Sequence, residues 1–255
     1  MTGSVLSSQR RHRGYVLLLA ACLFVMVCLM LPTGLRQLAA LGYLALPLVL
    51  IRSLGSQQQG AAGRLGSRWR TRLYRLLALL TFGWSLVWYL ATLSHSATSA
   101  PLLLLWTVLV AWSAERLIHN LTLERLINRQ VLVGALAGYL LLGLAAGLLF
   151  NVVETAVPGS FISAHSQNHA VLTARGAAPT AATPVWAIDF VKLNYFAFVT
   201  LTTTGYGDIH PMTPQTQMLC VLVAMSGTVY LVVVMGLLIS RATANDLVDD
   251  ERERP

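Results

Sequence analysis

Residues 195–208 read Tyr195-Phe196-Ala197-Phe198-Val199-Thr200-Leu201-Thr202-Thr203-Thr204-Gly205-Tyr206-Gly207-Asp208. Consecutive threonines supply hydroxyl oxygens, and Gly205 and Gly207 reach dihedrals that side chains exclude, which lets successive peptide carbonyls turn to one side. Oxygens presented this way suit one kind of chemistry, in which rings of backbone carbonyls replace the water shell of a monovalent cation. Bond-breaking chemistry needs paired carboxylates, an activated nucleophile or a metal cluster, and no such arrangement lies in the apolar part of the chain, so an enzyme is not expected.

The rest of the sequence must hold such a stretch at membrane depth. Of 255 residues, 56% are apolar and only 11% charged, far from the composition of a soluble domain. Apolar segments of near-spanning length recur at Tyr15–Leu31, Leu38–Ile51, Leu73–Leu93, Leu102–Ile118, Val131–Val153 and Met218–Ser240. A shorter one, Val185–Thr200, precedes the glycines. Pro184 stands just before its first turn and Asp189 near its amino end, as suits a half-length helix.

With the amino terminus inside, fifteen of the 18 Lys and Arg residues fall on the inner side, and only Arg36, Arg175 and Lys192 on the outer. This holds only if six segments cross and Val185–Thr200 dips in and returns. The basic excess therefore reads as topology, and no nucleic-acid partner is expected. Cys22, Cys28 and Cys220 sit in apolar stretches and suggest core packing, not disulfides or metal sites.

Thr202-Thr203-Thr204-Gly205-Tyr206-Gly207-Asp208 closely resembles the selectivity filter of the potassium channel family, and the resemblance extends over Val131 to Arg241. A Gly-Tyr-Gly triplet alone is a common loop sequence; its place between a half-length helix and a spanning helix gives it weight. The resemblance implies an all-α membrane protein: six transmembrane helices, a re-entrant pore helix and filter between the fifth and sixth, and a tetrameric pore. With the apolar runs and the arginines, this divides the chain into a cytoplasmic amino terminus (1–14), a four-helix region in voltage-sensor-like position without an arginine repeat (15–118), a pore domain (131–241) and a cytoplasmic tail (242–255). The pore domain then holds the outer helix, a mobile turret over 154–184, pore helix 185–200, filter 201–208 and inner helix 218–240.

In that family the threonine hydroxyl and carbonyls bind K+, which carries over to Thr203, Thr204, Gly205 and Tyr206, with Gly207 shaping the outer mouth and Thr202 and Asp208 in support. Thr204 stands where the family more often has valine. Val199 replaces a glutamate found in some bacterial relatives, so no carboxylate pair with Asp208 is expected. Tyr195 and Phe196 fall where the family has an aromatic cuff around the filter; as residues they read equally as core aromatics. Gly227 falls at the inner-helix gating hinge, and a close helix contact would explain it as well. Pairs Gly134/Gly138 and Gly143/Gly147 permit close helix contacts. One pore loop per chain cannot enclose an ion path, so a homotetramer follows.

Steep voltage sensing needs several arginines at every third position, and Leu102–Ile118 has only Arg116. The expected function is passive conduction of K+, not voltage-gated, with a weakly selective cation channel or a non-conducting regulatory subunit as alternatives. K+ is the permeant ion, and no other cofactor is implied. The stretch after Arg241 leaves no room for an attached ligand-binding domain, and Arg52–Arg75 is positioned to meet anionic lipid. The expected location is the cell membrane, multi-pass, with both termini cytoplasmic.

Overall fold

A peptide group in hydrocarbon must be satisfied inside its own segment or by packed protein, so apolar stretches of this length become helices. The computed structural model describes residues 2–30, 46–54, 65–91, 100–123, 129–164, 191–241 and 243, and in these the chain is almost wholly helical. Helix α1 spans Thr2–Leu29, α2 residues 46–54, α3 Leu65–Ala91, α4 Ala100–Leu123 and α5 Arg129–Ala156. There follow strand β1 (Phe161–Ser163), helix α6 (Val191–Leu201), strand β2 (Ile209–Pro211) and helix α7, which begins at Pro214 and continues to Arg241.

Among the described residues, three helices are long and apolar enough to cross a membrane: Pro101–Thr122, Arg129–Ala156 and Pro214–Arg241. Gly14–Leu29 and Val191–Leu201 are shorter apolar helices. Helix α3 starts eight residues before the expected apolar segment, with Arg70, Arg72 and Arg75 in its early turns. Residues 38–45 of the expected second crossing, 92–93 of the third and 185–190 of the expected pore helix lie outside the described residues, as do Pro184, Asp189 and nearly all of the tail.

Helix α5 is the hub, packed by α1, α4 and α6. One apolar core joins α1 through α5 with the later turns of α7, through Tyr15, Leu50, Leu109, Leu141, Tyr230 and Val234. A second surrounds α6, with Phe150, Phe161, Phe196, Leu201 and Val223. Small residues on α5 set the spacing. A Cβ on Gly134 would come within 2.9 Å of the Tyr15 ring, and one on Gly138 within 2.5 Å of the Tyr230 hydroxyl. That hydroxyl donates to the Ala135 carbonyl at 2.5 Å, pinning α7 to α5.

Helices α3 and α4 meet through polar pairs. The Tyr74 and Ser113 hydroxyls lie 2.9 Å apart, and Trp106 Nε1 donates to Ser85 Oγ at 3.1 Å. The Arg116 guanidinium is buried 4.4 Å above the Tyr74 ring, while neighbouring Glu115 turns outward to Arg70 at 3.2 Å.

Replacing Tyr230 with Phe keeps the ring and removes the bond to Ala135. The expected cost is about 1 kcal/mol, seen as a melting temperature lower by a few degrees in detergent; an unchanged melting curve would mean the hydroxyl does not tie the two helices.

Candidate functional site

The described part of helix α6, Val191–Leu201, is held by packing on α5 and α7. Its inward face, Leu193, Phe196, Ala197 and Leu201, is buried in the second core. Phe196 meets Phe150 at 5.5 Å and Phe161 at 5.7 Å between ring centroids. Against α5 the approach is close because glycines face it: a Cβ on Gly143 would strike the Phe198 ring, and one on Gly147 would strike Asn194. The other side of α6 rests on α7, where a Cβ on Gly227 would strike the Leu201 carbonyl oxygen. Of the two sequence readings of Gly227, the structure supplies the close contact. The later departure from α-helical geometry falls just below it, in the π-helical turn Tyr230–Met235.

The chain leaves α6 with its amides accounted for. Thr202 N–H donates to the Phe198 carbonyl (2.9 Å), Thr203 N–H to that of Thr200 (3.0 Å) and Thr204 N–H to that of Val199 (3.0 Å). The carbonyls are another matter. Thr203, Gly205 and Gly207 have φ of 57°, 61° and 75°, whereas Thr204 and Tyr206 between them do not enter the left-handed region. A regular strand sends successive carbonyls to opposite sides; alternating left- and right-handed residues bring them to one. Among the described residues, no carbonyl from Thr203 to Tyr206 accepts a hydrogen bond. Left-handed φ at a β-branched threonine costs about 1–3 kcal/mol and persists only where surroundings enforce it. The three amide bonds to the end of α6 do so.

Beyond the glycines the path is braced. Strand β2 pairs antiparallel with β1, with Ile162 opposite His210. Ala164 N–H donates to the Asp208 carbonyl (2.9 Å), and Met212 N–H to that of Ser160 (2.8 Å). The brace hangs on Glu154 at the end of α5, 5% exposed, whose carboxylate accepts from Gly159 N–H (2.9 Å) and Phe161 N–H (2.8 Å). Over 154–164 the segment expected as a turret holds the end of α5 and β1, joined by a turn whose two amides one carboxylate satisfies; residues 165–184 lie outside the described ones.

Helix α7 starts four residues before the expected Met218. Thr213 and Thr216 exchange side-chain and backbone bonds in a capping box, with Pro214 in the first turn.

The expected support residues part company. Tyr195 lies parallel to Tyr206 at 6.4 Å, on the open side. Phe196 turns into the core. Asp208 is half-buried, and its Oδ1 finds no partner among the described residues. Sequence reading missed Glu154, Asn194, Phe198 and Tyr230. The glycines facing Asn194, Phe198 and Tyr230 (Gly147, Gly143 and Gly138) were visible signals; Glu154 had none.

Residues 169–244 match the family model described as ion channel. Over those residues, less than half of the chain, the sequence is similar to an ion channel domain. The matched part holds α6, the Thr-Gly-Tyr-Gly stretch, β2 and α7, and the similarity supports passive ion conduction; α1 through α5 precede it. Searches of curated proteins and of solved structures return no match.

Two glycines of α7 make a matched test. Gly227→Ala drives a methyl into the Leu201 carbonyl of the channel domain and is expected to cost about 1–3 kcal/mol. Gly236, whose Cβ would meet nothing within 4 Å, should accept alanine with a gain of about 0.5–1 kcal/mol. Melting of both in detergent checks this; equal shifts would contradict the contact. Glu154→Gln leaves one turn amide without its carboxylate oxygen, with an expected loss of about 1–3 kcal/mol and faster proteolysis near residues 157–164.

Proposed function

We propose that the chain is one quarter of a potassium-selective channel, with the filter at Thr203, Thr204, Gly205 and Tyr206 and the outer mouth at Gly207. The observation that carries this is the alternation of left-handed φ at residues 203, 205 and 207 with carbonyls that accept no hydrogen bond among the described residues. A dehydrated cation on the axis of four such strands would be their partner. Thr202 and Asp208 support the strand, and Tyr195 backs Tyr206. The last carbonyls of α6 would place a partial negative charge below the filter, where a cation enters.

Four copies are favoured because α7 is apolar yet uncovered. Only 22% of its apolar window is buried by the chain itself, against 61% for α5. Met218, Leu222, Met225, Val229 and Val232 form the open part, and neighbouring copies, lipid and the water-filled path would share it.

The six-crossing arrangement, with a re-entrant α6 and both termini cytoplasmic in a cell membrane, is supported by the arginine distribution. Arg52, Arg70 and Arg72 are exposed at helix ends, where anionic headgroups would meet them. Arg116 is the single arginine of the apolar part of α4, and it is held over Tyr74 inside the helix pair. Opening is therefore not driven by voltage.

Reconstituted in liposomes, the protein should pass potassium in strong preference to sodium, with barium blocking the flux. Equal permeability would mean a weakly selective pore, and no flux a non-conducting subunit. Current should follow driving force without a steep change in open probability, where several moving charges would contribute about 2.3 kcal/mol each per 100 mV.

A further inference from the structure

The middle of the Thr-Gly-Tyr-Gly stretch contains a peptide plane with little to hold it. A flip of the plane between residues 204 and 205 changes ψ of Thr204 and φ of Gly205, and glycine accepts either sign of φ at no steric cost. Resistance must then come from Thr204. Its N–H is anchored to the Val199 carbonyl (3.0 Å), and its hydroxyl lies 2.8 Å from the Thr202 hydroxyl.

Each hydroxyl has one proton. Thr202 Oγ1 lies 2.7 Å from the Phe198 carbonyl, which can only accept, so the Thr202 proton goes there. Thr204 must then donate to Thr202. The result is a relay, Thr204 O–H to Thr202 O–H to the Phe198 carbonyl, that ties the filter residue to the last turn of α6. Valine, of the same shape, cannot make it.

We propose that the Thr204 hydroxyl is a positioning group. Through Thr202 it stops residue 204 from rocking, and so keeps the 204–205 carbonyl turned toward the ion path. This rests on the filter reading above and adds to it a determinant of how long the filter stays conducting. A neutral hydrogen bond of ordinary net strength corresponds to roughly fivefold in the ratio of conducting to flipped states.

Single-channel recording of the full-length protein in planar bilayers tests it. In Thr204→Val, conducting bursts should shorten about fivefold. Thr204→Ser, which restores the hydroxyl without the methyl, should return them to wild-type length. Thr202→Val should match Thr204→Val, and the double variant should be no worse than either, because both break one relay. Bursts of wild-type length in Thr204→Val, equal shortening in Thr204→Ser, or additive losses in the double variant would overturn the relay while leaving a selective wild-type pore in place. A wild type without potassium current would remove the filter reading and the relay with it.

Discussion

Backbone carbonyls left without donors cost several kcal/mol each in hydrocarbon. Among the described residues, 203–206 present four carbonyls without a donor, in a stretch that also holds a threonine in left-handed backbone. No chain keeps such a segment open by its own preference. Freed from its surroundings, the strand would relax to ordinary φ values and bond its carbonyls to whatever donors came near. The surrounding architecture supplies the opposition. The end of α6 takes the amides of Thr202, Thr203 and Thr204, and the Glu154 brace holds the strand beyond Asp208, so the carbonyls are what remains open.

Holding α6 in place is mostly a matter of backbone approach. In lipid, helices gain little from burying apolar surface against each other, and close packing carries more of the association. The glycines follow this rule one by one. Gly134 makes room for Tyr15, Gly138 for the Tyr230 hydroxyl, Gly143 for Phe198, Gly147 for Asn194 and Gly227 for the Leu201 carbonyl. Helix α5 thus serves as a ruled surface against which α1, α6 and α7 are each set at a fixed distance. The π-helical turn of α7 begins at Tyr230, the residue pinned to Ala135, so the helix is regular where it meets Leu201 and departs from α-geometry only from that anchor onward, before Leu238 packs again and Arg241 donates to the Thr122 carbonyl.

The Thr-Gly-Tyr-Gly stretch stood out in the sequence because its residue types have few other uses together, and α4, α5 and α7 were legible because apolar runs of that length admit one structure. Helix starts were less legible. Thr213-Pro214 is a readable cap, yet an apolar window placed the start of α7 at Met218; the arginines at the head of α3 hid eight helical residues. Gly227 shows a limit of another kind, since a glycine that bends and one that touches are the same letter. Glu154 and the two three-residue strands gave no signal at all. A strand that short has no alternation to read, and one carboxylate bonding two amides five and seven residues away is a tertiary fact.

If potassium is the missing partner of carbonyls contributed by four chains, it binds only the assembled ring, and a ligand of that kind stabilises the assembly. The decisive measurement is therefore the mass of the protein in mild detergent on heating, in potassium and in sodium. Four chains should be found together, dissociating at a clearly higher temperature in potassium. A monomer, or a tetramer that falls apart at the same temperature in both salts, would mean that the carbonyls share no such ion.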